Sequence, residues 1–132
     1  MTATVVIDAS AFVEILVESE LGSAVATRLR DQRMTAPAHF DGEVLSALGR
    51  LARAGRIPER RAIQLVRRAA AAPVRRDALP PLLAGAWQRR HNLRLVDALY
   101  AELAHRLGDV PLVTTDQGLA SAAPSGELIA AS

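Results

Sequence analysis

The run Val5-Val6-Ile7 is apolar and β-branched at every position, and it stops at Asp8. A continuous run of this kind fits a strand covered on both faces, as strands of parallel sheets are. Leu112-Val113-Thr114-Thr115 repeats the form near the other end and stops at Asp116. Between the two lie longer segments whose apolar residues recur at helical spacing. Strands alternating with helices argue for an α/β fold, a parallel sheet with helices on both sides. In such a sheet, side chains at the carboxyl ends of the strands meet in one crevice, where ligands bind.

The pattern divides the chain further. A strand is expected over residues 5–8, then a helix to about residue 17 with Ser10 as its N-cap. A second helix is expected over 20–31 and a strand over 34–36. Pro37 suits the first turn of a third helix, which carries Glu43, Val44, Leu45, Leu48 and Leu51 and stops at Gly55. Pro58 opens a fourth helix ending near 72–73, followed by a strand over 74–76. Pro80-Pro81 starts a helix to about residue 91. Asp97 begins another, with Leu99, Leu103 and Leu107 on one face and Gly108 as its stop. A strand over 112–115, a short helix over 116–122 and an edge strand over 128–130 complete the reading. No repeat or linker interrupts it, so residues 1–132 are expected to form a single domain.

Composition removes several kinds of chemistry. Cys is absent, which excludes disulfides, thiolate catalysis and zinc–thiolate sites. All 16 basic residues are Arg, so Lys chemistry is excluded, while planar guanidinium groups suited to phosphate are plentiful. A net charge of +2 makes nucleic acid admissible as a partner without demanding it. No apolar run approaches the roughly 18 residues of a membrane helix. The amino terminus enters a strand without a charged segment and an apolar leader. A cytoplasmic protein with no membrane association is expected.

Four acids stand at element junctions: Asp8 and Asp116 after strands, Glu43 and Asp97 near the start of helical segments. Each alone reads as an ordinary turn, cap or first-turn residue. Together they raise an electrostatic difficulty. Two carboxylates about 5 Å apart repel by roughly 3 kcal/mol at an effective dielectric near 20. Several such pairs rival the roughly 5–15 kcal/mol stability of a whole domain. A cluster of the four would hold a cation, keep a proton, or face an Arg. A hard divalent ion with oxygen ligands answers the difficulty most directly. The remaining acids, including Glu14, Asp41 and Glu102, read as solvated or capping, although Asp41 lies half a turn from Glu43. His39, His91 and His105 share no motif spacing and read as bystanders.

The order and spacing of four short segments resemble a PIN domain, specifically the VapC-type ribonuclease toxin of a type II toxin–antitoxin pair. They are Val6-Ile7-Asp8-Ala9-Ser10-Ala11, Pro37 with Glu43-Val44-Leu45-Ser46-Ala47-Leu48, Leu95-Val96-Asp97-Ala98-Leu99-Tyr100, and Leu112-Val113-Thr114-Thr115-Asp116-Gln117-Gly118-Leu119. The resemblance implies a three-layer α/β/α fold with a short parallel sheet. It implies endoribonuclease activity dependent on Mg²⁺ or Mn²⁺, with Asp8, Glu43, Asp97 and Asp116 as catalytic and metal-binding acids. Ser10 and Thr114 take supporting roles beside them. It also implies a homodimer and a cognate VapB-type antitoxin.

Arg50, Arg53, Arg56, Arg60, Arg61, Arg67 and Arg68 crowd two successive helices, as a solvated face with a subset available to RNA phosphates. With 3% aromatic residues there is no stacking platform for bases. Phe12, Ile15 and Leu16 fit core packing or a partner groove. Phosphoaspartate chemistry is disfavoured, because it requires a Lys and, in its phosphatase form, a second Asp where Ser10 stands. The alternative to an enzyme is a non-catalytic PIN-like scaffold that binds RNA or protein.

Overall fold

The computed structural model describes residues 2–130. Five strands form one sheet: β1 (Thr4–Ile7), β2 (Arg33–Pro37), β3 (Val74–Asp77), β4 (Leu112–Thr114) and β5 (Gly126–Leu128). Their order is β3-β2-β1-β4-β5, and every pairing is parallel. Seven helices connect them: α1 (Ala9–Leu16), α2 (Glu20–Leu29), α3 (Phe40–Arg53), α4 (Glu59–Ala71), α5 (Leu83–Gln88), α6 (Leu95–Arg106) and α7 (Gln117–Ala122). The result is the three-layer α/β/α arrangement. From β1 the chain runs outward to β2 and β3, then crosses back to enter β4 on the other side of β1. The order of strands therefore reverses between β1 and β4, where a parallel sheet opens a crevice at its carboxyl edge. Val6 pairs with Leu112 and Ile7 with Val113, so Asp8 and Asp116 emerge at that reversal.

The core explains the continuous apolar runs. Val5, Val6, Ile7, Leu112 and Val113 are essentially without exposure because helices cover both faces of the central strands. Each such side chain contributes on the order of 1.5–3 kcal/mol. Helices α1 to α4 pack on one another, while α6 packs on α5 and across β1, β2 and β4. Phe12 and Leu16 are buried and Ile15 packs against them, so these three belong to the core and not to a partner groove.

Several boundaries differ from the sequence reading. Pro37 is the last residue of β2, and α3 begins at Phe40. The ladder to β1 ends at Thr35, so no strand asks Pro37 for the N–H it lacks. The proposed 80–91 helix is a 3-10 turn at Pro80–Leu82 followed by the short α5, because two adjacent prolines remove two donors. The last helix-to-strand turn places β5 at Gly126–Leu128, two residues earlier than expected, still at the sheet edge. The α6 helix starts at Leu95, two residues before Asp97, and Leu107 stands at its C-cap, partly exposed. Gly55 and Gly108 do end α3 and α6 in the left-handed conformation, with φ of 72° and 97°.

Arg76 on β3 fastens the far edge. Its guanidinium donates to the carbonyls of Ala69, Ala72 and Val74, satisfying the otherwise unpaired end of α4. It also bonds the Asp41 carboxylate at 3.0 Å. Asp41 is thereby turned away from Glu43.

The α1–α2 contact depends on a missing side chain. A Cβ at Gly22 would lie 2.0 Å from the Glu14 carbonyl oxygen, whereas one at Gly42 meets nothing within 4 Å. Gly22→Ala should destabilise the fold by about 3 kcal/mol or more, because backbone must move. Gly42→Ala should stabilise α3 by about 0.5–1 kcal/mol. Denaturant titration of both variants tests this, and equal stability would refute the close-approach argument.

Candidate metal and active site

Asp8, Glu43, Asp97 and Asp116 line one cleft of about 820 Å³. Asp8 is delivered by the end of β1 and Asp116 by the turn after β4. Glu43 comes from the first turn of α3 and Asp97 from the first turn of α6. Two strands and two helices thus converge on the point where the sheet order reverses.

Asp8 is the most enclosed of the four, with 6% of its surface exposed. Its Oδ2 accepts a hydrogen bond from Ser10 Oγ at 2.5 Å and from Thr114 Oγ1 at 2.8 Å. Both hydroxyls are held in turn. The Asp116 backbone N–H donates to Thr114 Oγ1 at 3.0 Å, and Thr115 Oγ1 donates to Ser10 Oγ at 3.0 Å. Ser10 is therefore not the helix cap expected from sequence. Asp8 occupies that position in extended conformation, and it makes no side-chain cap bond. Its carboxylate turns across to β4 instead, and Ser10, inside the first turn of α1, follows it. Thr115, which the sequence reading passed over, closes the network.

The other three acids are anchored differently. Asp116 Oδ1 caps α7, accepting from the N–H groups of Gly118 at 2.8 Å and Leu119 at 3.2 Å. Asp97 Oδ2 accepts from Arg94 Nε at 3.1 Å. Glu43 Oε1 accepts from the Tyr100 hydroxyl at 2.6 Å. The simple capping reading is thus true of Asp116 and untrue of the others. In all four, one carboxylate oxygen is tied to protein and the second accepts no hydrogen bond among the described residues. Asp116 is exposed, and the second oxygens of Asp8, Glu43 and Asp97 are not among the buried atoms left without a partner.

The electrostatics bear the mark of this crowding. Burial raises the pKa of Asp8 above the ordinary carboxylate value, the Ser10 and Thr114 bonds pull it back, and the charges of Glu43 and Asp97 raise it again. Tyr100 is pushed far up by burial and then by its bond to Glu43, so it remains a hydrogen-bond donor. Arg94 is raised by its bond to Asp97 and, more weakly, by Asp116 and Glu43. The cluster has already drawn one cation to its mouth.

Four oxygens left free in one cleft suit a hard divalent cation, and no soft ligand is present. Among the described residues no three acidic or imidazole groups close into a finished metal cage. The acids line the cleft without closing on one point, so an ion held there would keep several waters as ligands.

Other acids and histidines depart from their expected roles. Glu102 is buried and paired with Arg89 at 3.2 Å, not solvated. Glu14 lines the same cleft and accepts from Ser19. His39 is no bystander: its Nε2 donates to the Val96 carbonyl at 2.8 Å, and its ring lies 4.9 Å from that of Tyr100. Tyr100 gave a signal in the sequence that was not used, since it lies three residues after Asp97 and hence one turn along the same face.

A family model described as the PIN domain matches residues 5–123. The chain therefore belongs to the PIN-domain family. Within it, this is a VapC-type member: it is 52% identical over 126 residues to Ribonuclease VapC3 of Mycobacterium tuberculosis, spanning 95% of this chain and 91% of that protein. It is 40% identical over 116 residues to Ribonuclease VapC12 of the same species, spanning 88% and 89%. The crystal structure of PAE2754 from Pyrobaculum aerophilum superposes with a TM-score of 0.68 over 94% of this chain and 82% of that one. At 22% identity that likeness concerns the fold alone.

The raised pKa of Asp8 has a definite sign in stability. The folded, metal-free protein binds this proton more tightly than the unfolded chain does. Stability contributed by Asp8 is therefore greatest below the unfolded pKa and falls as pH rises through the folded one. Asp8→Asn removes that loss. Melting in EDTA between pH 4 and 8 should show the variant gaining on the wild type as pH rises, while a gap that narrows would contradict the assignment.

Proposed function

We propose that this protein, acting as one PIN domain over residues 1–132, is a metal-dependent endoribonuclease and the toxin of a VapBC-type pair. The observation that supports this most is that Asp8, Glu43, Asp97 and Asp116 line one cleft, each with one carboxylate oxygen that accepts no hydrogen bond among the described residues. The similarity to named VapC ribonucleases adds the substrate class.

Mg²⁺ or Mn²⁺ bound there supplies Lewis acidity to a water and positive charge beside the phosphate. Asp8, Glu43, Asp97 and Asp116 are the residues that would hold the ion. Ser10 and Thr114 fix the Asp8 carboxylate so that its free oxygen keeps one direction. Attack by water on phosphorus with departure of the 3′ oxygen leaves a 5′-phosphate and a 3′-hydroxyl. Carboxylates without a cation repel RNA, so metal binding precedes productive RNA binding.

Of the seven clustered arginines, Arg50 and Arg56 line the cleft, and neither has an ion-pair partner among the described residues. Arg61 and Arg68 face Glu18 instead. Arg50 and Arg56 are the phosphate contacts of this reading. The protein works in the cytoplasm as a homodimer, held inactive by a cognate VapB-type antitoxin. No helix among the described residues is long and apolar enough to cross a membrane, which is compatible with that location.

Cleavage assays test the reading. RNA should be cut with Mg²⁺ or Mn²⁺, spared with EDTA, and left with 5′-phosphate ends. Asp97→Asn and Asp116→Asn should each lose more than about 100-fold in activity, beyond the usual effect of outer-shell changes. Asp116→Asn should still fold, because Asn caps a helix nearly as well as Asp. Normal cleavage by these variants without metal would overturn the proposal.

A separate check concerns salt. Each phosphate contact to single-stranded RNA contributes about 0.7 to the slope of log affinity against log salt. Arg50→Ala and Arg56→Ala should each flatten the slope of log kcat/KM by about that amount, and Arg67→Ala should not. An unchanged slope in both cleft variants would remove them from the RNA path.

A further inference from the structure

Helices α3 and α6 carry two of the four acids, yet they do not pack along one another. Among the described residues α3 lies on α1 and α4, while α6 lies on α5 and the sheet. Something local must therefore set Glu43 against Asp97. Two hydrogen bonds cross between the helices at that point, one sent from each side. His39, one turn before Glu43 at the start of α3, donates from Nε2 to the carbonyl of Val96, the residue preceding Asp97, at 2.8 Å. Tyr100, one turn after Asp97 on α6, donates to Glu43 Oε1 at 2.6 Å. The two rings meet at a centroid distance of 4.9 Å and an angle of 54°.

We propose that His39 and Tyr100 are positioning residues, a two-bond clamp between α3 and α6 that sets Glu43 and Asp97 at the spacing a divalent cation requires. The inference rests on the metal-dependent reading above and adds residues to it that touch neither metal nor RNA. Among the described residues these are the two side-chain hydrogen bonds that cross between the α3 and α6 segments.

The choice of His at position 39 separates this role from packing. Its Nδ1 is buried and has no partner among the described residues, and it is the sole buried side-chain nitrogen or oxygen left so. An unpaired buried acceptor is unfavourable. Phe would fill the same space beside Tyr100 without that defect, so packing alone favours Phe over His. What His supplies and Phe cannot is the Nε2–H that reaches Val96. Tyr100 makes the parallel case, because its ring is wholly buried and its hydroxyl is spent on Glu43.

Mn²⁺ is the probe for the test. Metal-free wild type, Tyr100→Phe, His39→Phe and the double variant are titrated with Mn²⁺ by calorimetry, with melting and RNA kinetics alongside. Each single variant should bind Mn²⁺ about 10–100-fold more weakly. Each should lose kcat by a similar factor with KM for RNA unchanged, and His39→Phe should melt no lower than wild type without metal. The double variant should lose little more than either single one, since the bonds act as a unit. His39→Gln, whose amide can still donate to Val96, should recover most of the loss.

Unchanged Mn²⁺ affinity and kcat in both single variants would overturn the clamp, whatever happens to melting. If His39→Phe fails to fold, Tyr100→Phe, which deletes one oxygen, decides the matter alone. A wild type that neither binds Mn²⁺ nor cuts RNA would overturn the functional reading and the clamp with it, an outcome distinguishable from failure of the variants only.

Discussion

A single buried carboxylate organises this molecule. Asp8 sits at the end of the central strand, nearly closed off from water, where an ionised group is stable only if its oxygens are satisfied. Two hydroxyls from separate elements reach one of its oxygens, Ser10 from α1 and Thr114 from β4. The Thr114 hydroxyl also receives the Asp116 backbone N–H, so the carboxylate that ends β1 fixes the turn that ends β4. The strand reversal, the start of α1 and the start of α7 are thereby joined through one side chain.

The four acids share a design visible only when they are compared. Each lines the cleft and gives one oxygen to the protein, with the other free of hydrogen bonds among the described residues. The anchors differ in kind: paired hydroxyls for Asp8, a phenol for Glu43, a guanidinium for Asp97, helix N–H groups for Asp116. An anchored carboxylate loses rotational freedom during folding and not during binding, which is the physical content of preorganisation. Repulsion among the four is lowered by Arg94 at the mouth and by Asp8's raised affinity for a proton. The proposed divalent ion would relieve it further.

Other charges are distributed so as to keep this cluster isolated. Asp41 lies two residues from Glu43 but is engaged by Arg76, which holds the end of α4 on the opposite side. Glu102, on the same helix as Asp97, is buried against Arg89 and points towards α5. Glu127 on the edge strand is paired with Arg28 of α2. These three acids are neutralised by arginines from other elements, while Glu14 stays in the cleft lining with Ser19 as its partner.

The sequence by itself determined the class of fold, the number and order of most elements, and the four acids. Continuous β-branched runs can be stable only as covered strands, and apolar spacing near 3.6 can be satisfied only by helices, so these follow from local chemistry. The tertiary structure decided where Pro37 and Ser10 belong, because the strand's end depends on Asp77 of β3 and the hydroxyl's partners on Thr114 and Thr115, all distant in sequence. It also decided that Asp8 faces β4 instead of capping α1, that Glu102 is internal, and that His39 and Tyr100 join the two acid-bearing helices. Periodicity reports which side of an element is apolar. It carries no information about which distant donor will meet a given carboxylate, since that depends on the packing of separate elements in three dimensions.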